Sequence, residues 1–167
     1  MAKKKPCTVE APSILHDPIK FTTMSQNTSA PKPVGLYPLT RRVGDLLFLS
    51  GVGPRIPGSG EHDEGVPGLK QDHNGNFAQF DFEAQAKGVF SNVRAILESE
   101  GARWEDLVDI TVFLTDMQRD FTTFNRVYKA HFEHIEPALR PCRTTMEVGA
   151  LPTPIAIELK CIAHCPE

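Results

Sequence analysis

At Asp81 the spacing of the apolar residues changes. Phe82, Ala86, Val89, Phe90, Val93, Ile96 and Leu97 recur every three or four positions, which lines one face of an α-helix. The apolar residues before and after them come in short unbroken or alternating runs of strand length. A chain that switches between these two periods must form a sheet and lay helices on it, because each apolar stripe needs an apolar partner.

The remaining elements follow from this switch. Residues 41–45 read as a short strand and turn, and 46–52 as a buried strand that ends in glycines. Residues 53–76 are dense in Gly, Pro, Asp and His, and predict a long loop of the kind that often carries function. Asp81 suits the cap of the first helix, and Gly101 its stop. Residues 107–114 are β-branched and apolar, so they predict a strand. A second helix is expected over 120–132, with Phe121, Phe124, Val127, Tyr128 and Phe132 as its stripe. Pro137 and Pro141 then break the chain. Residues 142–148 and 155–163 alternate like strands and are joined by Gly149-Ala150-Leu151-Pro152.

The expected order is β-β-loop-α-β-α-β-β, an α+β fold with one mixed sheet and two helices on one face. Several strands are apolar on both faces, and two helices cover one face only. The other face therefore predicts packing against further copies of the chain.

With 167 residues, 40% of them hydrophobic and 23% charged, the chain suits a single soluble domain with a sizeable core. Residues 1–33 are rich in Pro, Ser, Thr, Lys and Asn and show no period, so they read as an irregular or surface-draped extension. Met24 offers an alternative start. The domain proper is expected over 34–167. A net charge of −3 gives no clustered positive charge for a nucleic acid or an anionic membrane. No apolar run approaches the roughly 20 residues that span a bilayer. Lys3, Lys4 and Lys5 lead into Asp17, Pro18 and Lys20 rather than an apolar stretch, which argues against a signal peptide.

Cys7, Cys142, Cys161 and Cys165 form no CxxC pair. Cys161 and His164 would face opposite sides of a strand, so they do not predict a metal site. Reduced thiols in a cytoplasmic protein are expected. His62 and His73 fall in the loop. His131 and His134 fall at the end of the second helix, where positive charge is favourable.

The last two strands resemble a known pattern. Pro141-Cys142-Arg143-Thr144-Thr145-Met146-Glu147-Val148, then Leu151-Pro152, then Ile155 through Glu158 to Ala163 resemble the closing signature of the RidA/YjgF-like family. Gly35-Leu36-Tyr37, Phe48-Leu49-Ser50-Gly51, Val112 to Asp116 and Phe124 to Tyr128 match in the same order. The resemblance covers about residues 34–164. The segments from Ser50 to Arg55 and Glu158 to Lys160 are most similar to those of 2-aminomuconate deaminases.

The resemblance implies a chorismate-mutase-like fold: a six-stranded mixed sheet with two helices, assembled as a homotrimer with sites between subunits. It implies a small carboxylate substrate and a hydrolytic deaminase that works on an enamine or imine without a cofactor or a metal. Arg143 would grip the substrate carboxylate through its planar fork. Glu158 would move protons and activate water. Tyr37, Ser50, Gly51, Asn125 and Thr145 would line the cleft. Thr145 stands where many relatives carry Cys. Arg55 is a candidate for a second substrate carboxylate.

On composition alone, Arg143 reads as a surface cation paired with an acid, and Glu158 as a solvated strand carboxylate. Three functions remain open. One is conversion of 2-aminomuconate to 4-oxalocrotonate and ammonia. The second is general deamination of 2-aminoacrylate-type intermediates. The third is a non-enzymatic carboxylate-binding trimer.

Overall fold

The computed structural model describes residues 30–59, 65–74 and 77–166. Residues 1–29, with Met24 and Cys7, and His62 of the loop lie outside the described residues. Among the described residues nine strands and α-helices follow one another: β1 (Thr40–Val43), β2 (Leu46–Leu49), β3 (Leu69–Gln71), β4 (Phe77–Phe80), α1 (Phe82–Ser99), β5 (Leu107–Leu114), α2 (Met117–Phe132), β6 (Cys142–Glu147) and β7 (Ile157–His164).

The main sheet has five strands in the order β1-β2-β7-β5-β6, and β3 with β4 forms a separate two-stranded ribbon. Only β5 and β6 among these pairs run parallel. Helix α2 lies between them in sequence, as a parallel crossover requires. The expected mixed sheet with two helices is present, but its strand count is five rather than six. The loop expected over 53–76 also contains β3 and the approach to β4. Three- and four-residue strands beside glycines are too short to display a period.

Helix α1 starts where Asp81 accepts a hydrogen bond from the Ala84 amide at 3.0 Å. It ends before Gly101, which turns the chain at φ +74°. Helix α2 begins earlier than its apolar stripe implies. Asp116 caps it through the Arg119 amide. Asp120, expected at the start, lies in the first turn, buried against the Arg119 guanidinium at 2.7 Å.

The core lies between the helices and one sheet face. Ile110, Val112 and Leu114 of β5 meet Ile157, Leu159 and Cys161 of β7 there, all fully buried. Phe90 is the hub of an aromatic cluster with Trp104, Phe124, Tyr128, His131 and Phe132. His131 is therefore not the surface cation that its position near a helix end suggests. It stacks on Phe90 at 4.5 Å, and burial followed by the nearby Arg94 charge lowers its pKa, favouring the neutral ring. Cys161 is buried and His164 exposed, on opposite sides of β7. No described helix is long and apolar enough to cross a membrane.

Replacing Phe90 by Ala should destabilise the fold by about 3–5 kcal/mol, because it empties the hub of a closed core. Chemical denaturation of the Phe90→Ala variant measures this. A loss below about 1 kcal/mol would show that the cluster does not act as a unit.

Candidate active site

Two groups of polar residues are built on opposite faces of the sheet. The first surrounds Glu158. This carboxylate sits in β7 opposite Phe113 of β5, between the buried Ile157 and Leu159. Strand alternation turns it away from the helices. It has no hydrogen-bond or ion-pair partner among the described residues. Burial raises its pKa above the ordinary carboxylate range.

Gly51 faces Glu158 across the cleft. A methyl group at Gly51 would stand 2.3 Å from the Glu158 Oε1, so glycine here leaves room for the carboxylate. Beside them, Val52 bridges Leu159 by paired backbone bonds of 2.8 and 3.0 Å. Tyr37, Arg55, Lys32 and Ile155 line the same cleft.

The walls are fixed by residues that the sequence reading did not single out. Asn92, buried in α1, donates to the carbonyls of Gly53 and Arg55 at 2.9 and 2.8 Å. Gln85, also buried, accepts from the Ala156 amide at 2.8 Å just before β7. Both interrupt the apolar stripe of α1 with an amide, which is the signal that marks them. Ser50 directly precedes Gly51. Its hydroxyl donates to the Pro38 carbonyl at 2.7 Å, so it positions the turn that carries Tyr37. Ala30 and Pro31 are buried, so the packed structure already includes the end of the segment read as an extension.

The second group surrounds Arg143. In β6 it pairs with Ile110 of β5 and therefore points to the helix face. Its guanidinium lies 4.6 Å from the Tyr128 ring centroid and 5.4 Å from that of Phe124. It has no carboxylate partner among the described residues, unlike the surface ion pair that composition suggests. Aromatic faces orient a guanidinium and leave its hydrogen-bonding edge open.

Thr145 pairs with Val112 on the same face. Its hydroxyl is buried without a partner, which is costly unless another group supplies one. Asn125 precedes Tyr128 by one helical turn and shares its side of α2; its side chain bonds to no described residue. The eight candidate positions thus fall into two sets. Tyr37, Ser50, Gly51, Arg55 and Glu158 belong to one, and Arg143, Thr145 and Asn125 to the other.

Comparison with known proteins places this arrangement among similar chains. Residues 27–165 match the family model described as Endoribonuclease L-PSP. A RutC family protein of Pyrococcus abyssi is 36% identical over 135 residues, covering 81% of this chain and 91% of its own. The 2-iminobutanoate/2-iminopropanoate deaminase of Escherichia coli K12 is 36% identical over 136 residues, covering 81% and 91%. Among solved structures, E. coli TdcF with bound serine matches with a TM-score of 0.69 at 31% identity, covering 86% of this chain and 98% of its own.

The raised pKa of Glu158 makes a signed prediction. A carboxyl with a folded-state pKa above its unfolded value stabilises the fold below the unfolded pKa. That contribution is lost as pH rises through the folded value. Glu158→Gln should raise the Tm at pH 7 and leave it nearly unchanged at pH 4. An equal effect at both pH values would show that burial does not perturb Glu158.

Proposed function

The chain belongs to the RidA/YjgF-like family matched by the Endoribonuclease L-PSP model, and we propose that it is a hydrolytic deaminase of 2-imino and 2-enamino carboxylates. The observation that carries this reading is Glu158, a half-buried carboxylate with no partner among the described residues and a pKa raised by burial, which faces a glycine in a cleft. The E. coli relative named for imine deamination supports it. The family description also bears a nuclease name. A net charge of −3 offers little to a polyphosphate, so the small-molecule reading is preferred.

The site works as a pair of halves. Arg143 and Glu158 point to opposite faces of one sheet, so one chain does not bring them together. We assign the complete site to the contact between two copies, in a homotrimer whose inner wall is the open sheet face. Val43, Leu46 and Met146 are 45%, 39% and 40% exposed on that face, which supports a cover of this kind.

In the complete site Arg143 holds the substrate carboxylate. Neutral Glu158 first protonates an enamine at carbon, giving the iminium. As a carboxylate it then takes a proton from water while the hydroxide adds to C2. Returning that proton to nitrogen, and accepting the hydroxyl proton, it releases ammonia and leaves the 2-oxo acid. Glu158 ends protonated, as it began. The iminium is already electrophilic, and each proton moves through one carboxyl group that alternates between acid and base.

A narrower reading takes 2-aminomuconate as the substrate. It draws on the likeness of the segments from Ser50 to Arg55 and Glu158 to Lys160, and on the place of Arg55 in the cleft. A cytoplasmic location fits the free thiols of Cys142, Cys161 and Cys165.

Ammonia release from 2-iminopropanoate, generated in situ, tests the proposal. Glu158→Gln should lower kcat by about 10²–10⁴-fold. Arg143→Ala should lower kcat/KM by about two orders of magnitude or more, since it removes a bidentate charged contact. Normal release in either variant would refute the assigned roles.

A further inference from the structure

We propose that Gln85, Gly88 and Asn92 of α1 are positioning residues for Glu158, which hold the two chain segments beside this carboxylate at the separation its proton transfers need. This deepens the deaminase reading and rests on it for the reaction. Positions 85, 88 and 92 are spaced i, i+3 and i+7, so they lie along one side of the helix. There they replace apolar side chains with two amides and a glycine.

Gln85 and Asn92 are both buried. A buried amide carries a desolvation cost that an apolar side chain of similar size does not. The bonds that offset it all go to the surroundings of Glu158. Asn92 Nδ2 donates to the carbonyls of Gly53 and Arg55. Gln85 Oε1 accepts from the Ala156 amide. Gln85 Nε2 is buried with no partner among the described residues, so its amide gains the Ala156 bond and nothing for the core.

The two segments held in this way flank Glu158. The first begins at Gly51, where a methyl group would collide with the Glu158 carboxylate. The second enters β7 at Ala156, two residues before Glu158. They also touch each other. A methyl at Gly53 would stand 2.8 Å from Ile155 Cδ1, and Val52 and Leu159 exchange backbone hydrogen bonds. Gly88 lets the helix come close enough to reach the first segment. A methyl there would lie 3.0 Å from Pro67 Cγ and 3.1 Å from the Pro54 carbonyl oxygen. Glycine weakens a helix interior, and at this position it gives α1 the close approach that Asn92 needs to bond two carbonyls.

Steady-state turnover of 2-iminopropanoate, generated in situ, tests the assignment. Gln85→Met and Asn92→Leu keep the buried volume close to that of wild type and delete the bonds. Each should lower kcat by about ten- to hundredfold, the effect of a small misplacement of a reacting group. KM should stay within about twofold, since Arg143 holds the substrate carboxylate from another copy. Gly88→Ala deletes no bond and favours the helix, yet it presses on the Pro54 carbonyl and should lower kcat in the same way. Asn92→Leu and Gly88→Ala act on one loop, so together they should cost less than the product of their separate effects. Folded variants with wild-type kcat, or a loss confined to KM, would overturn the assignment.

Were no imine turned over by wild type, the deaminase reading would fail by itself, and amide hydrogen exchange would decide the positioning. Faster exchange at Val52 and Leu159 in Asn92→Leu and Gly88→Ala, with the rest of β5 and β7 unchanged, supports it. Unchanged exchange at these two amides overturns it.

Discussion

A strand offers each residue to one face of its sheet. Here that constraint divides the chemistry. Arg143 lies in register with Ile110, and Glu158 with Phe113. Ile110 and Phe113 are three apart on β5, so their side chains point to opposite faces. The parallel β5–β6 pairing and the antiparallel β5–β7 pairing together place the cation over the α2 aromatics and the carboxylate toward the open face. Shifting β7 by one residue against β5 would turn its buried apolar set of Ile157, Leu159 and Cys161 to the open face. The burial that stabilises the fold therefore also fixes which half of the site each strand presents.

The halves differ in what holds them. Arg143 rests on Tyr128 and Phe124, and both rings pack into the Phe90 cluster, Phe124 stacked on Phe90 and Tyr128 edge-on to it. Its position thus depends on the interior packing. Glu158 stands in a cleft whose walls are tied by amides: Asn92 to the loop at Gly53 and Arg55, and Gln85 to Ala156. Each half also carries a local cost. The Glu158 carboxylate is half-buried and the Thr145 hydroxyl buried, neither with a partner among the described residues. Unsatisfied groups of this kind concentrate where a ligand or partner completes them.

The long elements were legible because their periods are long. The seven apolar positions of α1 and the β-branched, apolar-rich run of β5 leave little choice, and Asp81 and Gly101 mark the α1 ends in chemical terms. The ribbon of β3 and β4 was hidden, since three or four residues do not show an alternation. The start of α2 was hidden because its first turn is polar and depends on the Asp116 cap. His131 was misread because its burial comes from Phe90 and Trp104, which are distant in sequence. The candidate site was legible through the family likeness of the strands that carry it. Its supports at Asn92 and Gln85, and the presence of Lys32 in the cleft, depend on tertiary contacts. They left only the trace of polar residues in an apolar stripe.

The central claim is that one copy supplies Arg143 and another supplies Glu158 to each site. Mixing inactive Arg143→Ala and Glu158→Gln chains, by joint unfolding and reassembly, tests it most directly. In a closed ring of three, every mixed assembly has one junction where an intact Glu158 meets an intact Arg143. An equal random mixture should then recover activity at roughly a quarter of its sites. A mixture that assembles yet stays as inactive as its parents would show that the two residues do not act across copies.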